Sequence, residues 1–100
     1  MSVVQLAGTF SGTGQSADVV VQGLATVLLY GGAGTLAIQK SYDGGRTWRT
    51  ISKDIDGNAA PYALNASEIV VMLEEPEAGV RYRITCTAHT SGTLGYRISR

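Results

Sequence analysis

The densest set of chemically capable side chains lies in eight consecutive residues, Ser41-Tyr42-Asp43-Gly44-Gly45-Arg46-Thr47-Trp48. Read for geometry, they predict the tip of a β-hairpin. Asp43 can fold its carboxylate back onto the amides of the turn, as Asx-turns do. Gly44 and Gly45 tolerate positive φ because they lack a Cβ. The Ser41 and Thr47 hydroxyls can tie the strand ends together. Trp48, the single tryptophan, brings a large apolar face and an N–H that needs an acceptor. The chemistry on offer is hydrogen bonding and stacking, with Ser41, Asp43, Gly44, Gly45, Thr47 and Trp48 as a structural set. If Trp48 and Tyr42 are displayed, they can also stack on a sugar ring.

Other groups invite sharper chemistry and lack the partners for it. Asp54-Ile55-Asp56-Gly57-Asn58 alternates oxygen ligands as calcium loops do, but Ala59 and Asn65 stand where an EF-hand loop needs Gly and Glu. Asp and Asn around Gly also suit an ordinary turn, which is the reading adopted. Ser11-Gly12-Thr13-Gly14-Gln15-Ser16 follows a strand like a phosphate cradle, without the Lys-Ser/Thr ending or a following helix. His89 is the single histidine and has no nucleophile elbow or second metal ligand nearby in sequence. Glu74, Glu75 and Glu77 flank Pro76 and read as a solvated acidic turn rather than the facing carboxylates of a glycosidase. Cys86 stands alone, so it forms no intrachain disulfide and reads as a small hydrophobe. The sequence therefore presents no catalytic set, cofactor site or metal site. Arg81, Arg83 and Arg97 remain. They fall on the outward side of the last strands and form a candidate basic stripe for protein contact, with a solvated face as the plain alternative.

The elements that position these groups are strands. Val4, Leu6 and Phe10 share one face of an opening strand over residues 3–10, and Val19 and Val21 share another. Ala25, Val27 and Leu29 alternate before Gly31-Gly32-Ala33-Gly34, which reads as a flexible turn into a strand with Leu36 and Ile38 inward. Residues 47–52 return beside that strand. No stretch supports a helix; the best candidate, residues 58–69, contains Pro61 and two Asn. Ile69, Val71 and Leu73 face one way and Val70 and Met72 the other, which suits a central strand or a face that meets another subunit. Val80, Tyr82, Ile84 and Cys86 then alternate with Arg81, Arg83, Thr85 and Thr87. His89-Thr90-Ser91-Gly92 reads as a turn, and Leu94, Tyr96 and Ile98 point inward beyond it. Seven to nine short strands without a helix predict a single all-β domain over residues 1–100, an antiparallel β-sandwich of jelly-roll type.

Eight basic and eight acidic side chains cancel, so no net field draws the chain to nucleic acid or an anionic membrane. No signal-peptide pattern opens the sequence, and no apolar run approaches the roughly 20 residues that span a bilayer.

Ser41–Trp48 matches the whole S-x-D-x-G-x-T-W pattern of the Asp-box, familiar from sialidase-like β-propellers, where it resembles a folding staple and not the catalytic site. A propeller needs several blades of about 40–45 residues each, which 100 residues do not supply. Three segments together carry a broader likeness. They are Phe10-Ser11-Gly12-Thr13-Gly14-Gln15-Ser16, the Asp-box itself, and the terminal run Tyr82-Arg83-Ile84-Thr85-Cys86, Ser91-Gly92-Thr93 and Tyr96-Arg97-Ile98. In order and spacing they resemble short virion proteins of tailed bacteriophages, small β-sandwiches that decorate or cement the capsid or sit at head and tail fittings. The resemblance implies a non-enzymatic structural protein made in the host bacterial cytoplasm and carried in the virion. Its partners would be the major capsid protein or other virion proteins, with self-association into a homo-oligomer. A head–tail or tail accessory component and a carbohydrate-binding module built on Trp48 are the alternatives.

Overall fold

In the computed structural model, residues 4–51 and 62–99 are described, and among them every regular element is a strand. The elements are β1 (Val4–Phe10), β2 (Gly14–Gln15), β3 (Val19–Val20), β4 (Gly23–Ser41), β5 (Arg49–Thr50), β6 (Tyr62–Asn65), β7 (Glu68–Glu75) and β8 (Arg81–Ser99). All pairings are antiparallel and belong to one eight-stranded sheet. The all-β expectation holds. The shortness of the strands does not, because β4 and β8 each run for 19 residues.

These two long strands pair with each other from Thr26↔Ser99 to Ser41↔Arg81, with register shifts between Gly31 and Leu36. On one side of the shifts, β4 pairs with β7 and with the end of β8, and β8 pairs with β1. This first layer has the order β7-β4-β8-β1. On the other side, β4 pairs with β6, β5 and the start of β8, while β2 and β3 lie along β8. This is the second layer. The sheet closes like a book, with the spine at residues 31–34 of β4 and 88–94 of β8.

The spine corrects two sequence expectations. Gly31–Gly34 and His89–Gly92 are bulged bends inside continuous strands, not turns between separate ones. Bulges increase local twist and let a strand change layers. Glycine is required because the two backbones touch: side chains at Gly31, Gly32 and Gly34 would strike the carbonyl oxygens of Thr93, Ser91 and Ala88. Gly31 and Gly92 also sit at φ 101° and 71°, where a Cβ is costly.

Side chains facing into the book make one core: Phe10, Val21, Ala25, Val27, Leu29, Leu36, Ile38, Tyr62, Leu64, Val71, Leu73, Val80, Tyr82, Ile84, Cys86, Leu94, Tyr96 and Ile98. Of the inward sets expected from alternation in β4, β7 and β8, every residue but Ile69 falls in it, and Ile69 packs against it partly buried, a consequence of the two-residue period of a strand. Burial also pushes the Cys86 thiol pKa up, as suits a packed small hydrophobe. β7, however, pairs with β4 alone among the described strands, so it lies at an edge and not at the centre.

Candidate functional site

The Ser41–Trp48 hairpin projects from the open end of the book, between β4 and β5. Its register is set by Gln39↔Thr50 and Lys40↔Arg49. The Ser41 hydroxyl donates to Asp43 Oδ1 at 2.7 Å and accepts the Gly45 amide at 2.9 Å. The same Asp43 oxygen accepts the Arg46 and Thr47 amides at 3.1 and 2.9 Å. Gly44 and Gly45 take φ of 76° and 98°, as the turn demands. Trp48 Nε1–H donates to the Gly45 carbonyl at 3.0 Å. The Ser41 hydroxyl, then the Thr47 amide and hydroxyl, hold the Asp43 carboxyl at about 2, because each bond favours the charged form. The box is a closed staple, with Asp43 and Trp48 as its two anchors.

Trp48 also reaches beyond its own turn. The Arg83 guanidinium stacks on its ring, 4.2 Å from the centroid. Arg83 Nε–H donates to Gln39 Oε1 at 2.8 Å, and Gln39 Nε2 donates to Thr50 Oγ1 at 3.2 Å. The hairpin therefore folds back over the outer face of the second layer and is clamped there by a cation–π contact. Next to it, Tyr42 is exposed, with the Lys40 ammonium 5.1 Å from its ring centre.

The three candidate contact arginines do not form a stripe. Arg81 meets Asp18 at 3.4 Å and Arg83 is held by Trp48 and Gln39, both on the second layer. Arg97 lies beyond the spine, in register with Leu28 and Ala7 on the first layer. The bend in β8 separates residues that one straight strand would have aligned.

A second polar cluster departs from the solvated acidic turn that the sequence predicts. Glu75 is not solvated: it is 3% exposed and faces into the open end of the book. Tyr82 donates its hydroxyl to Glu75 Oε1 at 2.8 Å, Lys40 Nζ lies 3.6 Å from the same oxygen, and the Glu77 amide donates to Oε2 at 3.1 Å. Glu75 belongs to the first layer, Lys40 and Tyr82 to the second, so the cluster latches the layers opposite the spine. Burial, then the hydrogen bond to Glu75, raises the Tyr82 pKa. At Lys40 burial works the other way, but contacts with Tyr42 and Glu75 outweigh it and leave the pKa raised. The signal was present in the alternation, since Glu75 continues the inward set Ile69, Val71, Leu73. Glu74 faces out, as does the exposed Glu77 in the turn that follows.

His89 is half-buried within β8, its Nε2 carrying a proton to the Gly92 carbonyl at 2.7 Å. The calcium-like run Asp54–Asn58 lies outside the described residues. Among the described residues no group of three His, Cys, Asp or Glu is placed to hold a metal ion, and no helix is long and apolar enough to cross a membrane. Comparison with models of known protein families and with curated protein sequences finds no match.

The outer face of the first layer is the other notable surface. β4 contributes Leu24, Thr26, Leu28 and Tyr30, and β7 contributes Val70 and Met72. Leu24 is 57% and Val70 55% exposed, and nothing in the described chain covers them. Outward strand positions in contact with water are ordinarily polar.

Proposed function

We propose that this protein is a non-enzymatic structural component of a tailed-bacteriophage virion, most simply a decoration or cement protein that stabilises the capsid shell. The observation that carries the reading is the division of labour on the surface. The polar groups of the strongest motif bond to one another inside the hairpin, while a bare apolar sheet face is left for contact with another protein. The three-segment likeness to phage virion proteins agrees with this, and a repeated shell multiplies weak identical contacts through avidity.

The carbohydrate-binding alternative draws on Tyr42 and Trp48. Tyr42 is exposed, but the Arg83 guanidinium already occupies a face of the Trp48 ring that a sugar would use. A head–tail or tail position would use the same contact chemistry at a different place in the particle.

Co-expression with the major capsid protein encoded in the same genome tests the proposal. The protein is expected to co-sediment with assembled shells and raise the temperature at which they disrupt. Recovery on tails alone, or on neither structure, overturns the capsid reading. Specific binding on a glycan array, lost in Trp48→Ala, would replace it with the carbohydrate reading.

A further inference from the structure

The bare face of the first layer has a charge pattern as well as an apolar one. Arg97 projects on the β8 flank, in the cross-strand row Ala7-Arg97-Leu28-Val70. Glu68 and Glu74 project on the β7 flank, in the rows of Tyr30 and Leu24. All three are exposed, and none forms an ion pair among the described residues. Leu24 and Leu28 lie on β4 between the flanks, and Val70 and Met72 lie on β7 between its two anions. One cation on one side of an apolar strip and two anions on the other make a pattern that matches its own copy turned by half a revolution. Isologous interfaces require such self-matching.

We infer that this face is a two-fold self-association surface, on which a second copy packs sheet to sheet with the axis running along β4. That axis places β4 against β4 and exchanges the β8 and β7 flanks. Arg97 of each copy then lies over β7 of the other, with Glu68 of the second copy one pleat repeat away and within reach of a guanidinium. The Leu24 and Leu28 side chains meet their equivalents, and Val70 and Met72 are covered. The alternative axis, across the strands, would stack like charges on each other.

Four strands about 4.8 Å apart and seven residues deep give a face roughly 19 Å by 24 Å. This is well below the ~800 Å² per partner of a standard interface, so the isolated dimer is weak, with Kd on the order of 10–100 µM. Closely spaced copies on a particle would strengthen it. The pairing rests on reading the chain as a protein-contact module. Its test uses the purified chain without capsid, so the two proposals fail separately.

Sedimentation velocity and light scattering from about 10 µM to 1 mM provide the test, bracketing the expected Kd. The wild-type mass is expected to rise with concentration from 10.5 kDa to twice that value. Arg97→Glu and Glu68→Arg should each weaken association about tenfold, since each places like charges opposite one another. Mixed one to one, the two variants should recover near wild-type affinity, because only the heterodimer restores both charge pairs. Val70→Lys should abolish association, with the circular dichroism of each variant confirming its fold. A wild-type chain that stays monomeric at 1 mM overturns the inference and leaves the face to an unlike partner. So does a mixture that binds no tighter than either variant alone, or a Val70→Lys chain that still dimerises.

Discussion

The outer faces of the two layers are built from the same two strands and meet water differently. On the second layer, β4 and β8 present Gln39, Arg81, Arg83 and Thr85, and the chain supplies its own cover. Trp48 closes over Arg83, Asp18 meets Arg81, and Gly14 accepts the Thr85 hydroxyl at 3.1 Å. On the first layer the same strands present Leu24, Leu28 and Arg97, and the neighbouring strand adds Val70 and Met72, with no cover from the described chain. The polar face is covered within the molecule, whereas the apolar one is left open by the described chain. The hairpin that carries the strongest motif thus serves the face that needs no partner.

Opening the book abolishes the comparison and should have the largest effect. A side chain at Gly32 would strike the Ser91 carbonyl and press on Gly92 and Thr93 across the spine. Gly32→Val is therefore expected to cost at least about 3 kcal/mol, because backbone has no rotamer with which to yield. Thermal unfolding by circular dichroism should show Tm falling by on the order of 15 °C. A variant within a few degrees of wild type would mean that the strands do not touch there.

Loosening the latch comes next. Tyr82→Phe removes the hydroxyl that satisfies buried Glu75 and should cost about 1–3 kcal/mol in denaturant titrations. The Tyr82 pKa is raised on folding, so its contribution is complete below its ordinary value near 10 and is lost as pH rises above it. The wild-type and Tyr82→Phe stabilities should therefore converge in alkali. A constant gap across that range would count against the latch.

Removing the cover of the second layer is a smaller perturbation. Asp43→Ala deletes the acceptor of the Ser41 hydroxyl and two amides, and a Tm lower by about 5 °C is expected. The Asp43 pKa is depressed to about 2, so its contribution is present above its ordinary value near 3.8 and is lost as pH falls towards 2. The difference between wild type and variant should close across that acid window. Equal stability at pH 7 would mean that the hairpin is displayed for binding and not for stapling.

The smallest effect belongs to the bare face. Val70→Thr keeps the β-branched shape and should move Tm by less than about 2 °C in dilute protein, as exposed substitutions commonly do. A larger fall would show that Val70 is already covered within one chain.

Much of this was legible in the residues. Period-two alternation gave the inward sides of β4, β7 and β8, because neighbouring side chains of a strand must point to opposite faces whatever the strand pairs with. The staple was legible because its bonds run between residues no more than four apart. Three features were not legible in this way. Gly31–Gly34 looked like a turn, and only contact with the Ser91 and Thr93 carbonyls makes it the spine of two long strands. Glu75 looked solvated beside Pro76, and its burial depends on Lys40 and Tyr82 arriving from the opposite layer. Arg81, Arg83 and Arg97 looked like one stripe because alternation says which side a residue takes and not where its strand bends.

By itself, then, the sequence determined the all-β class, the inward sides of β4, β7 and β8 and the self-contained hairpin at Ser41–Trp48. Each follows from interactions between near neighbours along the chain. The tertiary structure decided that one sheet folds into both layers, that a buried carboxylate latches them, and which outer face is left uncovered. Those outcomes depend on which distant segments meet, and the free energy of burying a charge or exposing an apolar row is set by what lies opposite it.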